Sequence, residues 1–157
     1  MNIEIWSVGK ESEPYIGDGV KNYLDKAKPF ASVSLHILPS PKKLVTAEPP
    51  ILKKAEGEMI LSRIGPQHHL IVLDERGKSL TSPQWASYFE GCMNSSVRTL
   101  VILIGGAFGV SEEVRQRAKG VWSLSALVLP HGIVRLLVAE QVYRAYSIIH
   151  RLPYHHV

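Results

Sequence analysis

Two short, almost wholly apolar runs set the limits on what this chain can fold into: His69–Asp74 (HLIVLD) and Leu100–Ile104 (LVILI). Neither alternates apolar with polar residues, as a strand with one wet face would, and both are bounded by turn signals. They predict strands covered on both sides, the condition of a parallel sheet sandwiched between helices. A β-prone segment at 3–8 (IEIWSV) and the alternating VSLHIL at 33–38 supply two further strands. Helical spacing fills the gaps. Pro14 opens a helix with Ile16, Val20, Tyr23, Leu24 and Ala27 on one face, stopped near Pro29. A second runs from about Ile51 with Leu52, Ala55, Met59 and Ile60 inward and ends at Gly65-Pro66. A third begins with Ser82 as N-cap and Pro83 in its first position, with Trp85, Phe89 and Cys92 along one stripe. Ser111-Glu112-Glu113 caps a fourth that Gly120 ends, and a fifth spans about Gly132 to Ile149 ahead of a tail containing Pro153. Residues 39–50, with four prolines, read as an exposed loop, and 121–131 show no single period. Alternating strands and helices predict an α/β fold with a mainly parallel sheet.

Length and composition narrow the function classes. At 157 residues the chain is expected to form one domain, 1–157, burying roughly two-thirds of its unfolded surface without help from disulfides or metals. Hydrophobic residues at 45% and charged residues at 20% exclude a disordered segment. The single Cys92 excludes an internal disulfide. No apolar run reaches the ~18 residues of a membrane span, and the N-terminus lacks a basic region followed by an apolar stretch. The expectation is a cytoplasmic protein. Eighteen Lys and Arg against 14 Asp and Glu give +4, a mild preference for a polyanionic partner such as nucleic acid.

The strand at 100–104 runs into Gly105-Gly106-Ala107-Phe108-Gly109 and then a helix start, the usual setting of a nucleotide pocket. The spacing is GGxxG rather than GxGxxG, and Glu112 and Glu113 at the helix entrance would repel a pyrophosphate. A phosphate-free nucleoside such as S-adenosylmethionine suits the loop better than a nicotinamide dinucleotide; a tight turn that only needs glycines is the plain alternative. The pairs His68-His69 and His155-His156 lack metal-ligand spacing, so no metal is expected. His131, after Pro130, either orients a substrate or merely ends a strand. Tyr154-His155, in a polar tail, reads by default as a frayed terminus. The last helix is apolar at nearly every position except Arg135, Glu140, Gln141, Arg144 and Ser147, with Glu140, Arg144 and Arg151 on one stripe. It either packs on a second copy of the chain or is a central core helix.

Longer strings change these odds. Ser123–His131 (SLSALVLPH), Val134-Arg135, Ala139–Ala145 (AEQVYRA) and Pro153-Tyr154-His155 closely resemble the C-terminal signature of the RlmH family of SPOUT methyltransferases. Val8-Gly9-Lys10, Leu73-Asp74 with Gly77-Lys78, and Ile104-Gly105-Gly106 with Gly109 follow in that family's order, so the resemblance spans the chain. It implies a SPOUT α/β fold with a C-terminal trefoil knot, a homodimer, S-adenosyl-L-methionine as cofactor, and no metal. The implied reaction is methylation of N3 of a pseudouridine in 23S rRNA of the assembled ribosome. The implied cofactor residues are Leu73, Gly105, Leu124, Ser125, Ala126, Leu127, Val128 and Leu129. Arg144, Tyr154 and His155 match positions associated with the target nucleotide: Arg144 for phosphate or a base edge, Tyr154 for stacking or hydrogen bonding, His155 as proton acceptor with His131 as the second candidate. In the homodimer the tail is expected to reach the partner's pocket. The sequence departs from the family's pattern at His156, where Arg or Lys is frequent, and at Ala107-Phe108, where polar residues are common. The alternatives are a SPOUT enzyme acting on another RNA or position, and a catalytically silent RNA-binding dimer.

Overall fold

A computed structural model describes residues 1–44 and 46–156. The strands are β1 (Asn2–Val8), β2 (Ser32–Leu38), β3 (His68–Ser79), β4 (Thr99–Ile104) and β5 (Gly120–Ser123). They form one sheet in the order β2-β1-β4-β3-β5, parallel at every pairing. The helices are α1 (Pro14–Ala27), α2 (Pro49–Arg63), α3 (Ser82–Asn94), α4 (Glu112–Arg117) and α5 (His131–Ile149). Every residue of β4 is buried, which explains its unbroken LVILI pattern at the centre of the sheet.

Two cores flank the sheet. On one face Ile16 and Val20 of α1, Trp85 and Phe89 of α3, and Val138, Val142 and Tyr146 of α5 pack on Ile3, Ile5, Leu100 and Ile102. On the other, Ile60 of α2 and Val114 of α4 cover Trp6, Val8, Leu70, Val72, Val101 and Leu103. The alternation of names along each strand follows from the period-two pleat.

Several expectations are corrected. α2 starts at Pro49 rather than about Ile51, because paired prolines fit a first helical turn that lacks N–H partners anyway. Its inward face carries Glu56 and Gly57 alongside Leu52 and Ile60, with Ala55 and Met59 only half-buried. The cap of α3 is Thr81, not Ser82: its hydroxyl accepts from the Gln84 amide while the Gln84 side chain accepts from the Thr81 amide, a reciprocal capping box. Gly120 does not terminate α4, which ends at Arg117 with Ala118 as its C-cap; it opens β5, which runs into the stretch that showed no single period. β3 continues past Asp74 to Ser79, since after a register shift Lys78 and Ser79 pair with Trp122 and Ser123. That extension is charged because it borders solvent, so it carried no apolar signal. Arg151 leaves the stripe of Glu140 and Arg144: it is exposed beyond the end of α5, in a left-handed turn at φ 56°. The apolar character of α5 is accounted for inside the chain, where it lies between α1 and α3 as a central core helix, with Leu137 left exposed.

Candidate active site: a pocket at the strand ends and a docked tail

A cavity of about 390 Å³ opens beyond the carboxyl ends of the strands, where open parallel sheets hold their ligands. β3 delivers Leu73 and Asp74 to it, β4 delivers Ile104 and leads into Gly105, and the segment after β5 contributes Leu124, Ser125, Leu127, Val128 and Leu129. His131 and Val134 of α5 close one side, and Phe108 the other. Of the eight residues expected at the cofactor, seven line the cavity; Ala126 lies in the same loop, exposed and off the wall. The loop is held by its own serines: Ser123 Oγ donates to the Ser125 carbonyl at 3.0 Å, and Ser125 Oγ accepts from the Leu127 amide at 2.9 Å. Leu127 and Val128 are 72% and 88% exposed, apolar surface at the mouth that none of the described residues covers.

The glycines of the loop are needed sterically. Gly109 sits at φ +81°, and a Cβ on Gly106 would land on the Glu56 carboxylate. Gly109 donates to the Gly106 carbonyl at 3.0 Å, closing the turn. The turn therefore needs its glycines whatever the cavity binds, which gives the plain alternative its due without removing the pocket beside it.

Asp74, Glu75, Arg76 and His131 line the cavity, and Arg135 stands one turn further along α5. Asp74 Oδ1 accepts from the Arg76 amide at 2.9 Å and from Arg76 Nε at 3.2 Å, and its Oδ2 pairs with the guanidinium of Arg115. Burial would raise the Asp74 carboxyl, but the Arg76 bonds and Arg115 together hold it below the usual range. His131 Nδ1 lies 3.3 Å from the Val8 carbonyl, which can only accept, so Nδ1 is a donor and, in the neutral ring, Nε2 carries the lone pair. Arg135, one turn along α5 and only 2% exposed, gives Nε to Ser7 Oγ at 2.7 Å and one terminal nitrogen to the Lys10 carbonyl and Ser12 Oγ at 2.7 and 2.8 Å. It ties the β1–α1 loop to the pocket's helix. Asp74, Arg115 and Arg135 were not singled out as site residues in sequence; partners 41 and 128 residues away leave no local pattern.

The other expected residues gather elsewhere. Arg144 donates to Glu140 through Nε at 2.9 Å and a terminal nitrogen at 2.6 Å, and its guanidinium stacks 4.6 Å from the Tyr154 ring centre. Tyr154 donates to the same Glu140 oxygen at 3.0 Å, and its ring meets Tyr143 at 4.7 Å. Burial, with the Tyr23 and Glu140 bonds, raises the Tyr154 hydroxyl well above its ordinary value, so it stays a donor. His155 Nδ1 lies 3.3 Å from an Arg144 nitrogen; Arg has only donors, so Nδ1 accepts and the ring proton sits on Nε2. The tail is therefore docked rather than frayed. It is docked far from the cavity: Arg144 lies thirteen helical steps beyond His131, about 20 Å along α5. The chain thus assembles the expected cofactor residues and His131 at one place, and Arg144, Tyr154 and His155 at another. Among the described residues no cluster of three or more His, Cys, Asp or Glu is placed to hold a metal ion, and no helix is long and apolar enough to cross a membrane.

Comparison with known proteins agrees with this geometry. The family model described as "Predicted SPOUT methyltransferase" matches residues 1–155, and the chain belongs to that family of methyltransferases. Its relatives include proteins named ribosomal RNA large subunit methyltransferase H. Those of Desulfitobacterium hafniense (strain Y51) and Flavobacterium johnsoniae are 38% and 36% identical, over 158 and 156 residues covering 99% of both chains in each case. That of Hahella chejuensis is 37% identical over 155 residues, again 99% of each chain. The resemblance carried by residues 123–155 is borne out.

Proposed function

We propose that this chain, acting over 1–157 as one methyltransferase unit, is an S-adenosyl-L-methionine-dependent enzyme that methylates N3 of a pseudouridine in 23S rRNA of the assembled ribosome. The observation that carries the reading is the cavity beyond β3, β4 and β5, formed by the segments that resemble the family's cofactor motif. Its size falls in the range of small-molecule pockets, roughly 300–1,000 Å³. Its donor set fits an uncharged adenosine: Leu73, Leu127 and Leu129 can cover the faces of adenine, while the backbone of 124–129 meets its edge. Bound there, S-adenosylmethionine supplies an electrophilic methyl group and leaves as a neutral thioether, so the transfer calls for no divalent metal. The relatives' printed names support large-subunit rRNA as the substrate.

The residues of this chain then have distinct tasks. The target nitrogen must lose its proton. His131 Nε2, with its lone pair free and its ring held by Val8, is the better acceptor; His155 Nε2 carries a hydrogen and donates while Arg144 occupies Nδ1. Tyr154, held protonated, stacks on or donates to the target base, and Arg144 contacts its phosphate or edge. Positioning supplies most of the acceleration. Because these residues lie about 20 Å from His131 along a rigid helix, the reading requires a homodimer in which the tail of one chain meets the pocket of the other. The C-terminal trefoil knot and a cytoplasmic location accompany this assignment.

The test is methyl transfer from labelled S-adenosylmethionine to assembled ribosomes lacking the modification, followed by mass-spectrometric mapping. A methyl on a large-subunit pseudouridine is the expected outcome. Cofactor binding with a methyl at another RNA position moves the assignment to a different SPOUT substrate, and binding without transfer to any RNA leaves a silent binder.

A further inference from the structure

A second cavity of about 520 Å³ adjoins the first and shares Phe108 with it. It opens on the α2/α4 face of the sheet, opposite α1, α5 and the docked tail. Lys53 and Lys54 of α2 form one wall; Glu112 and Glu113 of α4 form the other. Neither lysine makes an ion pair among the described residues, and Lys54 is exposed. Phe108 is 48% exposed, a large ring with half its surface bare at the boundary between the two spaces.

We propose that this groove binds the RNA nucleotide next to the methylated one, its base stacked on Phe108, its phosphate against Lys53 and Lys54, and its base edge toward Glu112 and Glu113. The inference rests on the proposed RNA methyl transfer and deepens it by assigning a flanking-nucleotide subsite. Single-stranded RNA is held by this combination: an aromatic platform for the base and point cations for the backbone. The carboxylate wall decides the size of the occupant. A continuous phosphate run along the groove would meet Glu112 and Glu113, whereas a single nucleotide is anionic at one end and can present N–H donors at the other. Carboxylates accept from the exocyclic amine of cytosine in this way, so the groove favours a base with such an amine. Glu113 is held below the usual carboxylate range by its own backbone amide, by Ser111 and by the field of Lys54, so it remains an acceptor at neutral pH. Sharing Phe108 gives the geometry a purpose, since a base stacked there leaves its neighbour at the mouth of the cofactor pocket.

The test uses the full chain with Phe108→Ala, Phe108→Trp and Lys53→Gln/Lys54→Gln. Methyl transfer to ribosomes, cofactor affinity by calorimetry, mass by sedimentation, and binding of fluorescent 12-nucleotide oligocytidine and oligouridine at low salt are read for each variant. Phe108→Ala is expected to raise KM for ribosomes about tenfold, well beyond any loss of cofactor affinity, and Phe108→Trp to restore it. The lysine variant is expected to raise KM and to reduce the slope of log(kcat/KM) against log salt by about 0.7, the signature of one lost single-strand phosphate contact. The parent is expected to prefer oligocytidine, and the variants to weaken its binding. Unchanged KM and salt slope in an active enzyme would overturn the inference and leave the proposed function standing. A loss of cofactor affinity in Phe108→Ala matching the rise in KM would make Phe108 a cover for the first pocket, and a loss of dimer mass would make the groove an interface; either overturns it. If the parent transfers no methyl to ribosomes yet the variants still weaken oligonucleotide binding, the proposed function fails and the subsite survives.

Discussion

The separation of the tail from the pocket makes a sharp prediction about subunits. Leu127→Arg/Val128→Arg places two long cations in a cavity mouth where both residues are largely exposed, so the fold loses little while the cofactor site is filled. Tyr154→Ala/His155→Ala removes the tail's contacts and leaves the pocket intact. Each variant alone is expected to be inactive. In a randomly mixed population about half of the dimers are mixed, and a two-fold arrangement in which tails cross to the partner gives each mixed dimer one intact site out of two. The mixture therefore recovers about a quarter of the parental activity per chain. If each site is built within one chain, every site in a mixed dimer carries a defect and the recovery is nil. The assay is methyl transfer by co-refolded variants carrying different affinity tags, with mixed dimers captured sequentially on both. Captured mixed dimers with no activity above either variant refute the reasoning, because the only distance being bridged is the length of α5 from His131 to Arg144.

Arg135→Met deprives Ser7, Lys10 and Ser12 of their donor while keeping the buried stem, and urea unfolding should show a loss of about 3 kcal/mol. A loss under about 1 kcal/mol would show that the anchor contributes little beyond packing. The Tyr146 hydroxyl is buried without a hydrogen-bond partner among the described residues, and burial has pushed it up to about 12. Tyr146→Phe should raise stability by about 1 kcal/mol in the same assay, and a clear loss would reveal an unrecognised partner. The Asp74 carboxyl titrates below its ordinary 3.8, so its contribution is complete above that value and fades as pH falls through the lower folded value. Asp74→Asn should therefore cost about 1–3 kcal/mol at neutral pH and progressively less as the pH drops below about 4; a pH-independent cost would place its effect in packing. His156 is exposed at the end of the tail, and His156→Arg, which places a permanent cation there, should lower KM for ribosomes. An unchanged KM would remove His156 from RNA contact.

What could be read in the sequence follows physical range. β4 and the apolar half of β3 were visible because burial on both sides writes an unbroken hydrophobic string. The charged half of β3 was not, since past Asp74 only Lys78 and Ser79 pair with β5, after a register shift at the border of the sheet, and the stretch obeys no apolar period. The residues proposed for the cofactor were legible only through long ordered strings; composition offered nothing more than a glycine turn, and the turn proves to need its glycines for the Glu56 contact and the φ of Gly109. The apolar excess of α5 was real but ambiguous: a partner subunit and a seat between α1 and α3 write the same letters. Asp74 with Arg115, and Arg135 with Ser7, are long-range pairs whose members look like ordinary surface charges until the fold joins them.

α5 carries chemistry at both ends, with His131 opening it inside the pocket and Glu140 and Arg144 holding the tail toward its far end. No side-chain rotation closes that gap. Unfolding the last turns to swing the tail over would sacrifice the three donors that converge on Glu140 Oε1, two from Arg144 and one from Tyr154. A two-fold axis resolves the conflict at no cost in sequence, because one isologous contact brings tail to pocket twice. It also gives the bare Leu127 and Val128 at the mouth something to meet, either the cofactor or the partner's tail. On the proposed assignment an isolated chain would have a pocket without its nucleotide contacts and a tail with nothing to act on. Specific activity should then fall on dilution in step with the loss of dimer mass, and a monomer retaining full activity would separate the tail from catalysis altogether.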